Sequence, residues 1–276
     1  ARILCNVYEA GEGPRFSRDS RYIAEKAEVE VTKYGFDKVV FGPELEFFVF
    51  DSVKFDTATP YKGQGYSIES TEAAWHSAGT NMPIAFKGGY YPTPPTDTLQ
   101  DFRRECCETM QNDFGIIIEA HHHEVATAGQ CEIDVRFDSL VSMADSVVSY
   151  KYVVKNIAKR MGKIATFMPK PIFGDNASGM HCHQSLWKDG RNTFYDASEK
   201  YAQLSQDAIY YLNGLIEHGR SISAFCSPTT NSYKRLVPGY EAPIYLAYSL
   251  RNRSAAIRIP TYFNDEKAKR LEYRSP

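Results

Sequence analysis

The stretch IIIEAHHHEVATAGQCEID at residues 116–134 joins a short apolar segment, typical of a β-strand, to a cluster of ionisable side chains. The cluster holds three of the seven histidines and two glutamates, Glu124 and Glu132. Imidazoles and carboxylates that follow a strand are costly to bury unless a partner compensates them. Taken alone, this stretch is consistent both with a divalent-cation site and with a polar surface loop. The choice depends on whether other segments supply matching ligands.

Three further segments place acidic or imidazole groups on one face of a strand. In GPELEFF, residues 42–48, Glu44 and Glu46 are two positions apart and share a face, where their like charges repel unless a cation lies between them. The segments MHCH at 180–183 and RLEYR at 270–274 repeat this alternation with histidines and with Arg, Glu and Arg. Each pattern singly is more typical of a solvated face or a structural histidine pair. Together they favour a shared cation site.

The ligand chemistry favours Mg²⁺ or Mn²⁺ over zinc. A structural zinc site prefers a closed tetrahedron of Cys and His side chains, and Cys182 points away from the face of its two neighbouring histidines. Carboxylate oxygens dominate the candidate set, and they suit magnesium or manganese. The ligands are numerous enough for two ions in one site.

Two arginine-containing segments indicate an anionic substrate. NSYKRLVPGYEAP at residues 231–243 is a loop with Pro and Gly, and RNRSAAIRIP at residues 251–260 follows soon after. Divalent ions beside several arginines are what a polyphosphate requires, because both neutralise charge on phosphoryl oxygens. The alternative is that these arginines form surface salt bridges. The sequence contains neither a GxxxxGK[ST] nor a GxGxxG motif, so a P-loop and a Rossmann fingerprint are excluded.

Composition describes an ordinary globular chain of 276 residues with 43% apolar and 24% charged residues. The net charge of −2 and the lack of a basic stripe argue against a nucleic-acid partner. No apolar segment has the length of a membrane span, which argues against a membrane partner. Six cysteines without a CxxC pair are typical of reduced thiols, so we expect a cytoplasmic location.

Hydrophobic periodicity predicts helices at residues 20–33, 97–115, 139–160 and 199–218. Residues 38–50, 180–187 and 270–274 read as strands, and Asp189-Gly190 is a strong hairpin signal. Strands and long helices follow one another without strict βαβ alternation. This pattern predicts an α+β fold with a mainly antiparallel sheet flanked by helices.

Seven segments of the chain resemble glutamine synthetases of the bacterial and archaeal class, and they occur in the same order. The resemblance implies the curved antiparallel sheet of the glutamine synthetase/guanido kinase catalytic-domain type. It identifies residues 1–276 as the catalytic domain and implies that a β-grasp domain before it and a helical part after it are absent. The segments are GPELEFF, KGGYYPTPPTD, HHHEVATAGQCEID, DNASGMHCHQS, NSYKRLVPGYEAP, RNRSAAIRIP and RLEYRSP.

The same resemblance implies roles for individual residues. Two or more Mg²⁺ or Mn²⁺ ions would be bound, one by Glu46, Glu124 and Glu132 and another by Glu44, His181 and Glu272. Glutamate would contact Arg235, Arg274, Asn176 and Ala177, and the nucleotide would contact Glu119, His183, Ser185, Arg258 and Arg270. Catalytic roles fall to Glu241, Arg253 and Tyr90.

The implied activity is ATP-dependent ligation of ammonia to L-glutamate through γ-glutamyl phosphate, in a homo-oligomer that is dodecameric in the family. One alternative is a γ-glutamyl ligase that uses a polyamine or another amine. A non-catalytic relative would be expected to lose metal ligands, and all six are present. A generic two-metal hydrolase would leave the arginine segments unexplained.

Two departures from the family pattern lead to further expectations. Ala177 replaces a glycine that allows the backbone to approach substrate glutamate, so its methyl group is expected to weaken binding. Family active sites lie between subunits and use an acidic residue from a neighbour's N-terminal domain. We therefore expect this polypeptide alone to be inactive or poorly active.

Overall fold

A computed structural model describes residues 2–77, 79–262 and 265–276. The helices of these described residues are α1 Ser20–Lys33, α2 Gln100–Phe114, α3 Leu140–Arg160, α4 Gln206–Glu217, α5 Gly219–Cys226 and α6 Thr230–Arg235. The strands are β1 Lys38–Phe50, β2 Ser52–Asp56, β3 Gly65–Glu69, β4 Ile118–His123, β5 Gln130–Val135, β6 Asp138–Ser139, β7 Ile164–Thr166, β8 Met180–Lys188, β9 Arg191–Asn192, β10 Tyr245–Leu250, β11 Ala255–Ile259 and β12 Leu271–Ser275.

The described residues contain one ten-stranded sheet, in which β1 is central. The strand order is β10-β11-β12-β8-β1-β5-β4, with β6 and β7 also paired to β1 and β9 paired to β8. Every pair in this order is antiparallel except β10 with β11. Strands β2 and β3 form a separate two-stranded sheet. The predicted α+β fold with a mainly antiparallel sheet is confirmed.

Alternation along β1 separates an apolar face from an acidic one. Leu45, Phe47 and Val49 are buried in a cluster with side chains of β5, α2 and α3. The Phe47 ring lies 6.2 Å from that of Tyr150 on α3, in an edge-to-face arrangement. Burying a side chain of this size stabilises the fold by about 1.5–3 kcal/mol. The opposite face carries Glu44 and Glu46 and then Phe48 and Phe50, which are buried in a separate cluster, because successive strand side chains point to opposite sides.

A second apolar cluster supports the other half of the sheet. Leu212 of α4 packs there with Leu186 of β8, Ile257 of β11 and Leu271 of β12. Together the two clusters leave one continuous polar face across β4, β5, β1, β8, β12 and β11. That face carries the candidate site.

A tight turn joins β4 to β5 within the 116–134 stretch. Ala128 and Gly129 both have positive φ, 62° and 84°. A Cβ at Gly129 would lie 2.5 Å from the carbonyl oxygen of Val49, so only glycine fits this close approach. The turn brings Glu124 and Glu132 back to the same side of the sheet.

Several element boundaries differ from the predictions. Asp19, not Ser20, caps α1, because its carboxylate accepts the backbone N–H of Arg21. The predicted helix 199–218 begins only at Gln206, where Ser205 accepts the N–H of Ala208. The predicted start of a helix at Asp97 is also early, since this side chain pairs with Arg103 of α2 instead. In the described parts of the chain, no helix has the length and apolarity needed to cross a membrane.

Candidate active site

Strand pairing places a row of ionisable side chains across the middle of the polar face. Glu46 of β1 lies opposite Glu132 of β5, and Glu44 lies opposite Asp134 on one side and His181 of β8 on the other. Antiparallel partners have Cβ atoms about 4.5–5.5 Å apart, so these groups interact directly. Backbone register alone therefore concentrates negative charge beside β1.

Strands β12 and β11 extend the row with alternating charge. Glu272 lies opposite His183 on one side and opposite Arg258 on the other. The Arg258 Nε atom is 2.6 Å from a Glu272 carboxylate oxygen, and Arg274 forms a second ion pair with the same carboxylate. Glu272 is fully buried, and the two guanidinium groups compensate its charge.

The described residues contain two groups of side chains spaced for metal binding. Glu44, His183 and Glu272 form one, and their ligand atoms all lie within 4.8 Å of one another. His122, Glu124 and Glu132 form the other, within the same distance. Carboxylate oxygens supply most donors in both, a set that suits magnesium or manganese.

The carboxylates of the second group have raised pKa values, because they are buried close to one another without enough positive charge. Burial, reinforced by the charge of Glu46, raises the pKa of Glu124 to about 8. Burial and the same glutamate raise the pKa of Glu132 well above its ordinary value. Burial raises the pKa of Asp134 to about 6, and one of its carboxylate oxygens is buried without a hydrogen-bond partner among the described residues. Added positive charge would stabilise these carboxylates as anions.

Glu44 behaves in the opposite way because two imidazoles face it. Burial opposes its ionisation, but His183 and His181 outweigh burial and lower the pKa of Glu44 well below its ordinary value. His183 Nε2 is 2.6 Å and His181 Nδ1 is 3.1 Å from its carboxylate oxygens. Arg235 donates to His181 Nε2 at 3.0 Å, so this imidazole lies between a carboxylate and a guanidinium.

A cavity of about 290 Å³ opens on this row of charges. Its wall includes Arg235, which is 2% exposed and whose Nε and Nη1 have no hydrogen-bond partner within the described chain. Burial, with a smaller effect from Arg274, lowers the pKa of Arg235 to about 10. A buried guanidinium with unused donors fits a carboxylate ligand, which it can bind in a bidentate manner. The lining of this cavity includes the following predicted site residues: Glu44, Glu46, Tyr90, Glu124, Glu132, Asn176, Ala177, His181, Arg235, Glu241, Arg253, Arg258 and Arg274.

All three predicted catalytic residues lie at the rim of this cavity. The guanidinium of Arg253 lies 3.7 Å from the carboxylate of Glu241, and both side chains are partly exposed. The same guanidinium lies 5.6 Å from the ring centroid of Tyr90, within the range of a cation–π contact. The rim is therefore charged and open to solvent, in contrast to the buried floor.

A second cavity, of about 720 Å³, adjoins the first, and Glu44 and Asp134 line both. Glu119, His183, Ser185 and Arg270 line only the second cavity, which also has the aromatic side chains Phe137 and Trp187. Arg270 Nε donates to His183 Nδ1 at 3.0 Å. The size and the mixed lining suit a ligand with both a planar apolar part and an anionic part.

The structure brings the predicted site residues together around these two cavities. Glu272 lines neither, but it forms ion pairs with Arg258 and Arg274, which line the first cavity. Which residues bind metal, substrate or nucleotide remains a prediction.

Six residues that line the first cavity were not among the predicted site residues: Tyr91, His122, Asp134, Tyr240, Ala242 and Tyr262. His122 lies between Glu124 and Glu132, 3.8 and 4.0 Å from their oxygens. The ring of Tyr91 stacks on His122 at 4.3 Å. The period of two along a strand was the available signal, because Asp134 follows Glu132 by two positions and His122 precedes Glu124 by two.

An antiparallel sheet that carries a row of carboxylates and several arginines on one face defines the class of this protein. It is a catalytic domain whose site is lined by acidic and arginine side chains. Residues 17–276 match the family model for the glutamine synthetase catalytic domain, and the chain belongs to this family.

Relatives and a solved structure agree with this assignment. The chain is 58% identical over 278 residues to the glutamine synthetase of Sulfolobus acidocaldarius and 52% identical over 281 residues to that of Escherichia coli K12. These matches cover 100% and 99% of this chain. It spans only 58% and 59% of the lengths of those relatives. A cryo-EM structure of Plasmodium falciparum glutamine synthetase superposes with a TM-score of 0.86 at 34% identity, covering 96% of this chain and 52% of that one.

Proposed function

We propose that this chain is the catalytic domain, over residues 1–276, of an enzyme that joins ammonia to L-glutamate at the expense of ATP and gives L-glutamine. The observation that carries the proposal is the joining of two cavities at Glu44, one with a buried arginine short of an anion and the other with room for a nucleotide. Family membership and the names of the relatives support the same reaction.

Two or more Mg²⁺ or Mn²⁺ ions fit the carboxylate row. We propose Glu46, Glu124 and Glu132 as the ligands of one ion and Glu44, His181 and Glu272 as those of another. The raised pKa values of Glu124 and Glu132 support a cation there, because burial and mutual repulsion leave these carboxylates short of positive charge. When bound, the ions would neutralise charge on phosphoryl oxygens and on the γ-carboxylate of glutamate.

Glutamate would enter the first cavity. Arg235 offers two unused donors to its α-carboxylate, and Arg274 adds positive charge nearby. Asn176 and Ala177 line the same wall and would contact the substrate backbone. The partly exposed Glu241 and Arg253 lie at the rim, where a closing loop would exclude water from the reacting group.

ATP would occupy the second cavity with its γ-phosphate directed toward Glu44. Ser185, His183 and Arg270 would contact the nucleotide, and Glu119 lies on the far wall. Arg258 and Arg253, which line the first cavity, would stabilise charge on the phosphoryl group as it transfers.

The reaction then has two steps. A γ-carboxylate oxygen of glutamate attacks the γ-phosphorus of ATP, the bond to the β-phosphate oxygen breaks, and ADP leaves. Ammonium, held near Tyr90 and Glu124, loses a proton and attacks the acyl carbon of γ-glutamyl phosphate. Glu241 accepts a proton as the amide forms, and phosphate leaves.

We further propose that the enzyme works as a homo-oligomer, dodecameric as in the family, in the cytoplasm, where its substrates occur. Large apolar side chains that remain exposed support a protein interface, among them Phe173 at 98% and Phe225 at 84%.

The test is glutamine formation from glutamate, ammonium, ATP and Mg²⁺, with putrescine and ethanolamine as competing amines. We expect ADP and glutamine to form in equal amounts with ammonium and no product with the larger amines. Arg235→Lys, which keeps the charge but loses the bidentate fork, is expected to raise the KM for glutamate. Phosphate release only with putrescine or ethanolamine would instead identify a γ-glutamyl ligase for another amine.

A further inference from the structure

The three loops that border the mouth of the first cavity meet at one aromatic ring. The first loop is residues 85–91 and carries Tyr90. The second is residues 170–179 and carries Asn176, and the third is residues 237–243 and carries Glu241. We call the last one the flap. Tyr240 lies directly before Glu241 and lines the cavity with it.

Asp175 joins two of these loops to the sheet. It is fully buried, and one carboxylate oxygen accepts the backbone N–H of Lys87 at 2.9 Å. The other accepts the backbone N–H of Thr127, in the turn between β4 and β5, at 2.7 Å. The Asp175 carbonyl accepts a hydrogen bond from the ammonium group of Lys170. Lys87 itself has a left-handed backbone, φ 59°, a conformation that non-glycine residues rarely adopt without such a contact.

Two lysines reach from this framework to the flap. The Nζ of Lys170 lies 3.8 Å from the ring centroid of Tyr240, and the Nζ of Lys87 lies 4.4 Å from it. Lys87 Nζ also donates to the carbonyl oxygen of Gly239 at 2.9 Å. An ammonium group within about 6 Å of a tyrosine ring is attracted by its π-electrons, and two such contacts act on one ring here.

Lys170 is itself held in place. It is 7% exposed, its backbone N–H donates to the side-chain oxygen of Asn231, and its carbonyl accepts from the same amide. Asn231 belongs to α6, the helix that leads into the flap. The lysine is therefore fixed at its backbone and can hold the ring at a set position.

We propose that Lys87, Lys170 and Tyr240 form a latch that holds the flap closed, and that they are positioning residues for Glu241. This inference rests on the proposed function for its catalytic consequence. With the latch intact, Glu241 stays at the rim of the first cavity, within reach of the acyl phosphate, and water reaches the intermediate less often. With the latch lost, the flap opens more often while the floor of the site is unchanged.

An open flap predicts a specific side reaction. Water attacks the acyl carbon of γ-glutamyl phosphate, a new C–O bond forms, the bond from that carbon to the phosphate oxygen breaks, and glutamate and phosphate are released. The net reaction is hydrolysis of ATP to ADP and phosphate without glutamine. The ratio of ADP to glutamine formed therefore reports the latch, whereas a purely structural role would lower both products together.

The first experiment measures this ratio in matched variants. Tyr240→Phe keeps the aromatic ring and is expected to keep the wild-type ratio, whereas Tyr240→Leu loses both cation–π contacts and is expected to raise it. Lys87→Arg is expected to behave like wild type and Lys87→Met like Tyr240→Leu. Loss of such contacts should increase flap opening by about twofold to thirtyfold. The exposed Lys159→Met on α3 serves as the control.

The second experiment needs no activity. A protease that cleaves after glutamate is applied briefly, and cutting at Glu241 is followed by mass spectrometry in wild type and in Lys87→Met, Lys170→Met, Lys87→Arg and Lys159→Met. We expect faster cutting only in the two variants that lose a latching cation. Equal rates in all five proteins would overturn the latch. If wild type forms no glutamine but Lys87→Met and Lys170→Met are still cut faster than wild type, the latch is supported and only the proposed function is rejected.

Discussion

Ala177 is the residue at which the chain departs most directly from its family's pattern, and its position gives this departure a consequence. It lines the first cavity, and its carbonyl oxygen accepts a hydrogen bond from Gln130 at 3.3 Å. Its backbone lies outside the left-handed region, so alanine is not strained there. The effect of the methyl group must therefore be on the approach of substrate.

The substitution Ala177→Gly tests this effect. We expect the KM for glutamate to fall by about tenfold, because one methyl group in a binding pocket is worth roughly this factor or more. The kcat should change little, since Ala177 contacts no group that reacts. Steady-state kinetics with glutamate as the varied substrate give the answer. A KM that stays the same or rises would show that the methyl group does not obstruct the substrate.

Gly179 is required for a different reason. A Cβ at this position would lie 2.5 Å from His181 Nε2 and 2.6 Å from Arg235 Nη2, and so would separate the two side chains that it faces. We predict that Gly179→Ala raises the KM for glutamate by about tenfold to a hundredfold, because small displacements of a positioning group carry such costs.

The matched control is Gly214→Ala in α4, where a Cβ would meet no atom within 4 Å. This variant should keep the wild-type KM. If Gly179→Ala kept it as well, Arg235 would not be the group that binds the substrate carboxylate.

At the scale of elements, the acidic face of β1 could be predicted from sequence because Glu44 and Glu46 alternate with Leu45 and Phe47. The sequence did not show which side chains of the neighbouring strands lie beside this acidic face. That Glu272 meets His183 depends on the pairing of β12 with β8, which are about ninety residues apart and are brought together only by the folded core. Strand β10 was missed because its parallel pairing with β11 leaves it mostly exposed, so its apolar side chains show no buried face.

The link between the end of β1 and the start of β7 gives a prediction about pH. Asp51 accepts from Lys163 at 2.5 Å and from the backbone and hydroxyl of Thr71 at 2.6 and 2.9 Å. Burial opposes the ionisation of Asp51, but Lys163 and Thr71 outweigh it and lower its pKa. A carboxyl group with a lowered folded-state pKa adds stability above its unfolded pKa of about 4, and this stability is lost as the pH falls through the folded-state value.

Asp51→Asn should therefore lower the free energy of unfolding by about 1 kcal/mol at pH 7, a value reduced for the partial exposure of the pair. The difference from wild type should shrink as the pH is lowered from about 5 to about 3. Urea denaturation at several pH values measures it. A difference that did not depend on pH would assign the loss to packing instead of charge.

At the scale of the whole molecule, the site joins two halves of the sheet. Strands β4 and β5 supply Glu124 and Glu132 on one side of β1, and β8 and β12 supply His181 and Glu272 on the other. Like charges across this centre weaken the metal-free fold, and cations would stabilise it. Metal binding should consequently change global stability as well as activity.

Glu132→Gln should change stability in opposite directions with and without metal. In EDTA the melting temperature should rise, by about 2–4 °C for each kcal/mol of repulsion removed. With Mn²⁺ at about a hundred times its Kd, wild type should gain about 2.7 kcal/mol, and the variant should gain much less. The exposed Glu199→Gln should follow wild type under both conditions. Equal gains from Mn²⁺ in all three proteins would exclude Glu132 as a ligand.

The most direct measurement is a crystal structure with Mn²⁺, an ATP analogue and methionine sulfoximine, in which anomalous scattering locates the manganese ions. We predict two or more ions in the carboxylate row and a nucleotide in the second cavity beside Ser185 and Arg270. Manganese bound elsewhere, or no manganese in the row, would contradict the account. The residues predicted to bind the ions are Glu44, Glu46, Glu124, Glu132, His181 and Glu272.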